Sequence, residues 1–247
     1  MLRLTAGLGA ALLLWQGLVW LTGLPPFLLP GPQAVGLALI QHRAALAGAG
    51  LVTLTEVLCG FLLGAAFGIL LALVMAALPV LAAALRPALL LSQTIPIFAL
   101  APILTLWLGY GLAPKIAVTA LIVFFPVATA FAEGLARTPA ACLDLAQVMG
   151  AGRLRCLIHL RLPAALPELG TGLRLAAIYA PVGAVIGEWV GGSDGLGALM
   201  IHANGRMRID LVFACLALVT LGAMGFHAAI TRATGAAFAR FRQGPPL

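Results

Sequence analysis

Long apolar runs broken by short polar or proline-rich stretches dominate the chain. Residues 4–42, 57–85, 87–114, 116–132 and 211–231 contain no Asp, Glu, Lys or Arg. Four of these five runs reach the roughly 20 residues a helix needs to cross about 30 Å of hydrocarbon, and 116–132 sits at the lower limit of about 17. The pattern predicts membrane helices over about 5–23, 51–77, 88–110, 115–136, 165–190 and 210–231. The expected fold class is all-α, a polytopic membrane protein with six spans and both termini on one side.

The interruptions carry their own information. Pro25, Pro26, Pro30 and Pro32 cannot continue a helix, because proline lacks the amide donor and fixes φ. The chain turns there, and residues 33–50, with His42 and Arg43, read as an interfacial helix. Gly60, Gly64 and Gly68 recur every four residues and so line one helix face, where they admit a close helix neighbour. Pro79, Arg86 and Pro87 mark a turn before the third span, and Gly109, Gly111 and Pro114 mark one after it. Within that span Gln93, Thr94, Pro96 and Pro102 free backbone carbonyls and predict a kink, either lining a pathway or packing on a neighbour. The first 24 residues resemble a signal peptide but show no small-x-small cleavage site, so they are expected to form an uncleaved span.

Composition excludes several classes. Of 247 residues 63% are apolar and 9% charged, and mean hydropathy is +1.13, which leaves no room for a disordered, coiled-coil or nucleic-acid-binding chain. The net charge of +7 is a topology signal. Arg3, Arg86, Arg137, Arg153, Arg155, Arg161, Arg174, Arg232, Arg240 and Arg242 fall on one side of the predicted spans, against Arg43, Lys115, Arg206 and Arg208 on the other. The positive-inside rule makes the richer side cytoplasmic, with both termini there. Cys59, Cys142, Cys156 and Cys215 are isolated and imply neither a disulfide framework nor a metal site.

The longest hydrophilic segment, 137–163, lies inside. Thr138-Pro139 is a helix opening, a short helix is expected over about 139–149, and Gly150-Ala151-Gly152 would close it. Asp144-Leu145-Ala146 is followed after three residues by Gly150, and after nine more by Leu160-Arg161-Leu162-Pro163. This resembles the Glu-Ala-Ala, Gly, Ile-x-Leu-Pro loop of permease subunits of binding-protein-dependent ABC importers, with Asp, Leu and Leu replacing Glu, Ala and Ile. The resemblance spans roughly 28–232 and is nearest the nitrate/sulfonate/taurine class, through Leu29-Pro30-Gly31-Pro32, Gly60–Gly64, Leu106–Gly111 and Phe124-Phe125-Pro126. Gln93–Ala99, Gly187–Gly191 and His202-Ala203-Asn204 are more similar to its pyrimidine thiamine-precursor branch.

The resemblance implies a type I importer fold, organised as 1–50 (first span, turn and interfacial helix), a core permease domain over 51–232 with the coupling loop 137–163, and a cytoplasmic tail 233–247. It implies two permease copies, by default identical, on two ATPase subunits, fed by an extracytoplasmic binding protein in a bacterial inner membrane. ATP and Mg would be bound by the partner ATPase, with no cofactor, metal or catalytic residue in this chain. Asp144, Leu145, Ala146, Gly150, Leu160, Leu162 and Pro163 are the expected ATPase-coupling residues.

Polar groups near the spans suggest the substrate path. Gln93, Thr94, Pro96, Trp107, Glu188 and Trp189 offer hydrogen bonds and flat apolar surface, while Glu56 reads as an interfacial carboxylate and Glu133/Arg137 as an i,i+4 ion pair. The chain shows no mid-span cation to receive an anion, which favours a neutral or weakly basic heteroaromatic over nitrate, a sulfonate or taurine. Two other classes are less well matched. An intramembrane serine protease would have to use Ser193 with His202 or His227, and a secondary transporter would need midplane carboxylates or inverted repeats, which the sequence does not display.

Overall fold

A computed structural model describes residues 2–238. In α1 (Leu2–Thr22) the side chains of residues 2–8 and of Ala11 lie outside that description. The remaining helices are α2 (Pro32–Gln41), α3 (Arg43–Ala77), α4 (Pro79–Ser92), α5 (Ile97–Leu108), α6 (Leu112–Ala136), α7 (Ala140–Val148), α8 (Arg153–Cys156), α9 (Leu162–Gly191), α10 (Leu196–Gly205) and α11 (Ile209–Phe238), with a π-turn over Leu157–Arg161. No strand occurs among the described residues.

Four continuous helical stretches are long and apolar enough to cross a bilayer: α3, α6, α9 with the helical turns before it, and α11. The bent pair α4/α5 is long and apolar enough for a fifth crossing when its two helices are taken as one span, and α1 coincides with the expected first span. Several expected boundaries move. The span expected over 88–110 is two helices bent by 100°. Thr94 and Ile95 donate their amides three residues back, to Leu91 and Ser92, and Pro96 has no amide to extend the helix. The second span begins at Arg43 rather than 51, so the interfacial helix is only α2, separated from α3 by the single residue His42. Nothing in 43–50 breaks a helix. The fifth span also starts early, because the π-turn carries helical backbone from Arg153 up to Pro163, with the Leu162 amide reaching five residues back to the Leu157 carbonyl. Residues 233–238 of the expected tail continue α11, and 239–247 lie outside the described residues together with Arg240 and Arg242.

The core is α6 gripped between α3 and α9. Gly60, Gly64 and Gly68 face α6 as the four-residue spacing predicts. A Cβ on Gly64 would stand 2.8 Å from the Val123 Cβ, and one on Gly68 2.9 Å from the Phe124 carbonyl oxygen. On the opposite flank a Cβ on Gly172 would meet the Pro126 carbonyl oxygen at 2.8 Å, and one on Gly187 would meet the Lys115 Cα at 2.8 Å. Without a hydrophobic drive between helices in lipid, such backbone approach supplies the dispersion contacts that hold a bundle together. Val123, Val127, Ala128 and Phe131 fill the space between the two glycine faces and are buried.

Gly64→Val is therefore expected to lower the unfolding midpoint in detergent, by about 1–3 kcal/mol of overpacking. Gly48→Ala, in the same helix with nothing within 4 Å of its would-be Cβ, is expected to leave it unchanged or slightly raised. Equal midpoints for the two variants would contradict the packing argument.

Candidate functional site

The 138–163 segment is built as a compact wedge. In α7 only Ala146 is buried, Leu143 is half-buried, and Asp144, Leu145, Val148 and Met149 are exposed, Val148 at 86%. A nine-residue helix gains little stability alone, so its ends matter. Gly150 has φ +79°, its amide donates to the Gln147 carbonyl at 2.9 Å, and the Ala151 amide donates to the Ala146 carbonyl at 2.9 Å. This pair of bonds is a Schellman closure, which satisfies terminal carbonyls through a left-handed residue. The start differs from expectation, because Pro139 occupies the N-cap position and makes no side-chain cap, while the Thr138 hydroxyl is buried without a hydrogen-bond partner among the described residues.

Behind α7 a cavity of about 640 Å³ is lined by Ala77, Pro79, Leu143, Gln147, Arg153 and Leu157, among others. Arg161, inside the Leu160-Arg161-Leu162-Pro163 stretch, closes its far side. Its Nε donates to the Leu135 carbonyl at 3.0 Å and its Nη1 to the Ala76 carbonyl at 3.3 Å. Both acceptors lie in last turns, of α6 and α3, where carbonyls lack intrahelical donors and the helix dipole favours a cation. One guanidinium thus ties the end of the wedge to two core helices. Leu160, Leu162 and Pro163 flank it, half-buried. Glu133 and Arg137 form the expected ion pair at 3.5 Å, on the exposed surface.

The expected path residues divide into two groups. Gln93, Thr94 and Pro96 are exposed at the 100° bend between α4 and α5. Trp107, 75% exposed, lies at the other end of α5, and Trp189 is exposed near the end of α9. Thr105 and Gly191 join these two ends, since a Cβ on Gly191 would lie 2.7 Å from Thr105 Oγ1. Glu188 departs from the expectation of a path-facing carboxylate. It is 0% exposed and accepts from the Thr53 hydroxyl at 2.6 Å and from the Gly197 amide.

Glu188 belongs to a buried charge cluster that sequence reasoning missed. Lys115, counted among the outer-side charges at the start of the fourth expected span, lies in the first turn of α6, 2% exposed, with Nζ 3.0 Å from Glu56 Oε1. The same Nζ donates to the Asp194 carbonyl at 2.7 Å, and the Leu196 amide donates to Thr53 Oγ1 at 2.9 Å. The cluster therefore joins α3, α6 and α9 to the connection leading into α10. Gly195, at φ +114°, and Gly197 have no room for a Cβ because the Glu188 carboxylate occupies it. The available signal was three charges of mixed sign, each near the same end of a different apolar span.

Other groups are accounted for locally. Arg174 lies 17 residues, or about 25 Å, from the Gly191 end of α9, so it sits toward the far boundary of a ~30 Å core. It donates to Thr234 Oγ1 at 3.2 Å and Thr171 Oγ1 at 2.8 Å, while the His227 ring meets the Arg174 carbonyl at 3.1 Å. Ser193 donates to Asp194 Oδ2 at 2.7 Å.

Comparison with known proteins agrees with this architecture. The family described as "Binding-protein-dependent transport system inner membrane component" matches residues 64–235. A probable ABC transporter permease protein of Haemophilus influenzae is 49% identical over 211 residues, 85% of this chain and 86% of that protein. The formylaminopyrimidine transport permease protein ThiX of Halalkalibacterium halodurans is 38% identical over 205 residues, 82% of each. The riboflavin transport system permease protein RibX of Chloroflexus aurantiacus is 38% identical over 222 residues, 85% of this chain and 80% of that one. Among solved structures, an inward-facing MetNI methionine ABC transporter chain shares the fold, with a TM-score of 0.55 at 21% identity, covering 80% of this chain and 96% of that chain.

Lys115 is the keystone of the buried cluster, and its removal leaves carboxylates buried without a counter-charge. Lys115→Met is expected to destabilise the protein by about 3–5 kcal/mol, and Glu56→Leu added to it to recover most of that loss. Denaturant unfolding in detergent measures both, and a single variant as stable as wild type would show that the cluster carries no structural charge.

Proposed function

The chain belongs to the family of binding-protein-dependent transport system inner membrane components, and from that premise we propose how it acts as the permease subunit of an ABC importer. The α7 helix is its coupling helix, seated in a cleft of an ATP-binding partner. Closure of the ATPase pair on ATP moves α7 as a rigid body, and the motion rocks the core between inward-open and outward-open states. The observation that carries this reading is the wedge itself, in which a capped helix exposes Leu145, Val148 and Met149 while Arg161 fastens the adjoining turn to the ends of α3 and α6. An apolar helix face left open to water calls for a protein partner.

This reading places α7 and both termini in the cytoplasm of a bacterial cell and the Lys115 cluster at the outer end, where a binding protein delivers substrate. ATP and Mg belong to the partner, the chain itself does no chemistry, and two identical copies form the path. The substrate is a small neutral or weakly basic heteroaromatic, such as a pyrimidine thiamine precursor. Two observations support that class. The single lysine is engaged by Glu56 and the Asp194 carbonyl and so offers no free charge to an anion. Relatives at 38% identity carry the names of formylaminopyrimidine and riboflavin permeases. Gln93, Thr94 and Pro96 at the bend, with Trp107 and Trp189 at the outer end, line the path, while Glu188 holds the outer connection in place.

Gly150→Arg, which forces a bulky residue into a left-handed position at the end of α7, is expected to abolish uptake while membrane insertion and basal ATP hydrolysis persist. Gly152→Ala, at φ −68°, is expected to transport normally. Undiminished uptake by Gly150→Arg would remove the coupling assignment. For the substrate, thermal-shift screening of the cognate binding protein is expected to pick out a pyrimidine, and tight binding of taurine or nitrate instead would overturn that part of the proposal.

A further inference from the structure

A groove of about 540 Å³ runs between α3 and α11, away from both the wedge and the path residues. Its walls are apolar, with Leu39, Leu46, Leu54, Val57 and Phe226 among them, and its head carries Arg43. The two helices run in the same direction. They are joined at the head by Arg208, whose Nη1 lies 3.0 Å from His42 Nε2, and at the floor by the edge-to-face pair Phe61–Phe226, 5.0 Å between centroids. From Arg43 to Val57 the wall rises 14 residues, about 21 Å.

The head of the groove has more positive charge than its neighbours neutralise. Arg43 is exposed and makes no ion pair among the described residues. It also occupies the first position of α3, where the helix dipole opposes a cation and favours an anion. Arg206, two residues before Arg208, is exposed, and Asp210 lies 3.8 Å from Arg208. The shape selects among possible occupants. A helix about 10 Å across would displace roughly 1,600 Å³ over about 21 Å, so a groove of about 540 Å³ does not enclose one. A single acyl chain is narrow enough.

We propose that this groove is a binding site for an anionic phospholipid, with the phosphate on Arg43 and one acyl chain lying between α3 and α11 down to Phe226. A cation at the head, an apolar wall about 21 Å long and a groove too small to enclose a helix describe that amphiphile. The lipid fills the gap between two helices that are joined at its head and at its floor, and its role is independent of the transported substrate.

Native mass spectrometry of the full-length chain, released from vesicles of equal phosphatidylglycerol and phosphatidylethanolamine, tests the site. Wild type is expected to retain one lipid, with phosphatidylglycerol enriched about fivefold, the factor a single basic residue contributes at an anionic surface. Arg43→Gln is expected to keep one lipid and lose the enrichment. Gly222→Leu projects into the groove from a position with nothing within 4 Å of a Cβ, and is expected to lose the retained lipid whatever its headgroup. Retention by Gly222→Leu, enrichment unchanged in Arg43→Gln, or disulfide trapping of an Ala223→Cys groove onto a second copy of the chain would each overturn the proposal.

Discussion

The close approach of α6 to α3 on one flank and α9 on the other is the constraint from which the rest of the structure follows. Gly60, Gly64 and Gly68 on one side, and Gly172, Gly183 and Gly187 on the other, bring backbone against backbone where any side chain would intrude. In lipid, where apolar side chains gain nothing by leaving an apolar solvent, this contact area is the main force available. It also restricts sliding of the three helices, because α6 is keyed to three glycines of α3 on one flank and three of α9 on the other.

Polar groups pin the same three helices at their two ends. At one end Arg161 joins the carbonyl termini of α3 and α6 to the turn that precedes α9. At the other, Glu56, Lys115 and Glu188 contribute one charged group from each helix and hold the 192–195 connection through Lys115 and Gly197. A buried ion pair is a weak source of net stability, since desolvation offsets most of the Coulomb attraction. Its strength is specificity, because a wrong register would strand a charge in an apolar interior. The cluster therefore accounts for why ionic groups persist where leucines would fit. The α4/α5 pair, whose two helices are bent by 100° against each other, stands outside this locked body.

Much of this was legible in the sequence, and the failures share one cause. Long charge-free runs located the spans, the glycine period identified the face of α3 that packs closely, and Gly150 was read correctly as a left-handed stop for α7. Boundaries failed where helix could continue without penalty. Nothing in 43–50 breaks a helix, and a π-turn let 153–161 remain helical up to Pro163. The bend at Gln93–Pro96 was legible as a kink, but its size depends on what the two halves pack against, which local sequence does not encode. The charge cluster was missed for the same reason. Each of its members looks like an ordinary interfacial residue alone, and only the pairing of three distant segments makes it a unit.

That pairing also changes how the scarcity of charge should be understood. With 9% charged residues, a free charge in a span would stand out as a candidate ligand for substrate. Lys115 and Glu56 neutralise each other, Glu188 is saturated by Thr53 and Gly197, and Arg174 is bonded to two threonine hydroxyls. The charges near the spans serve helix against helix. What is left exposed around the bend and near the far ends of α5 and α9 is an amide, a hydroxyl and indole rings, none of them charged.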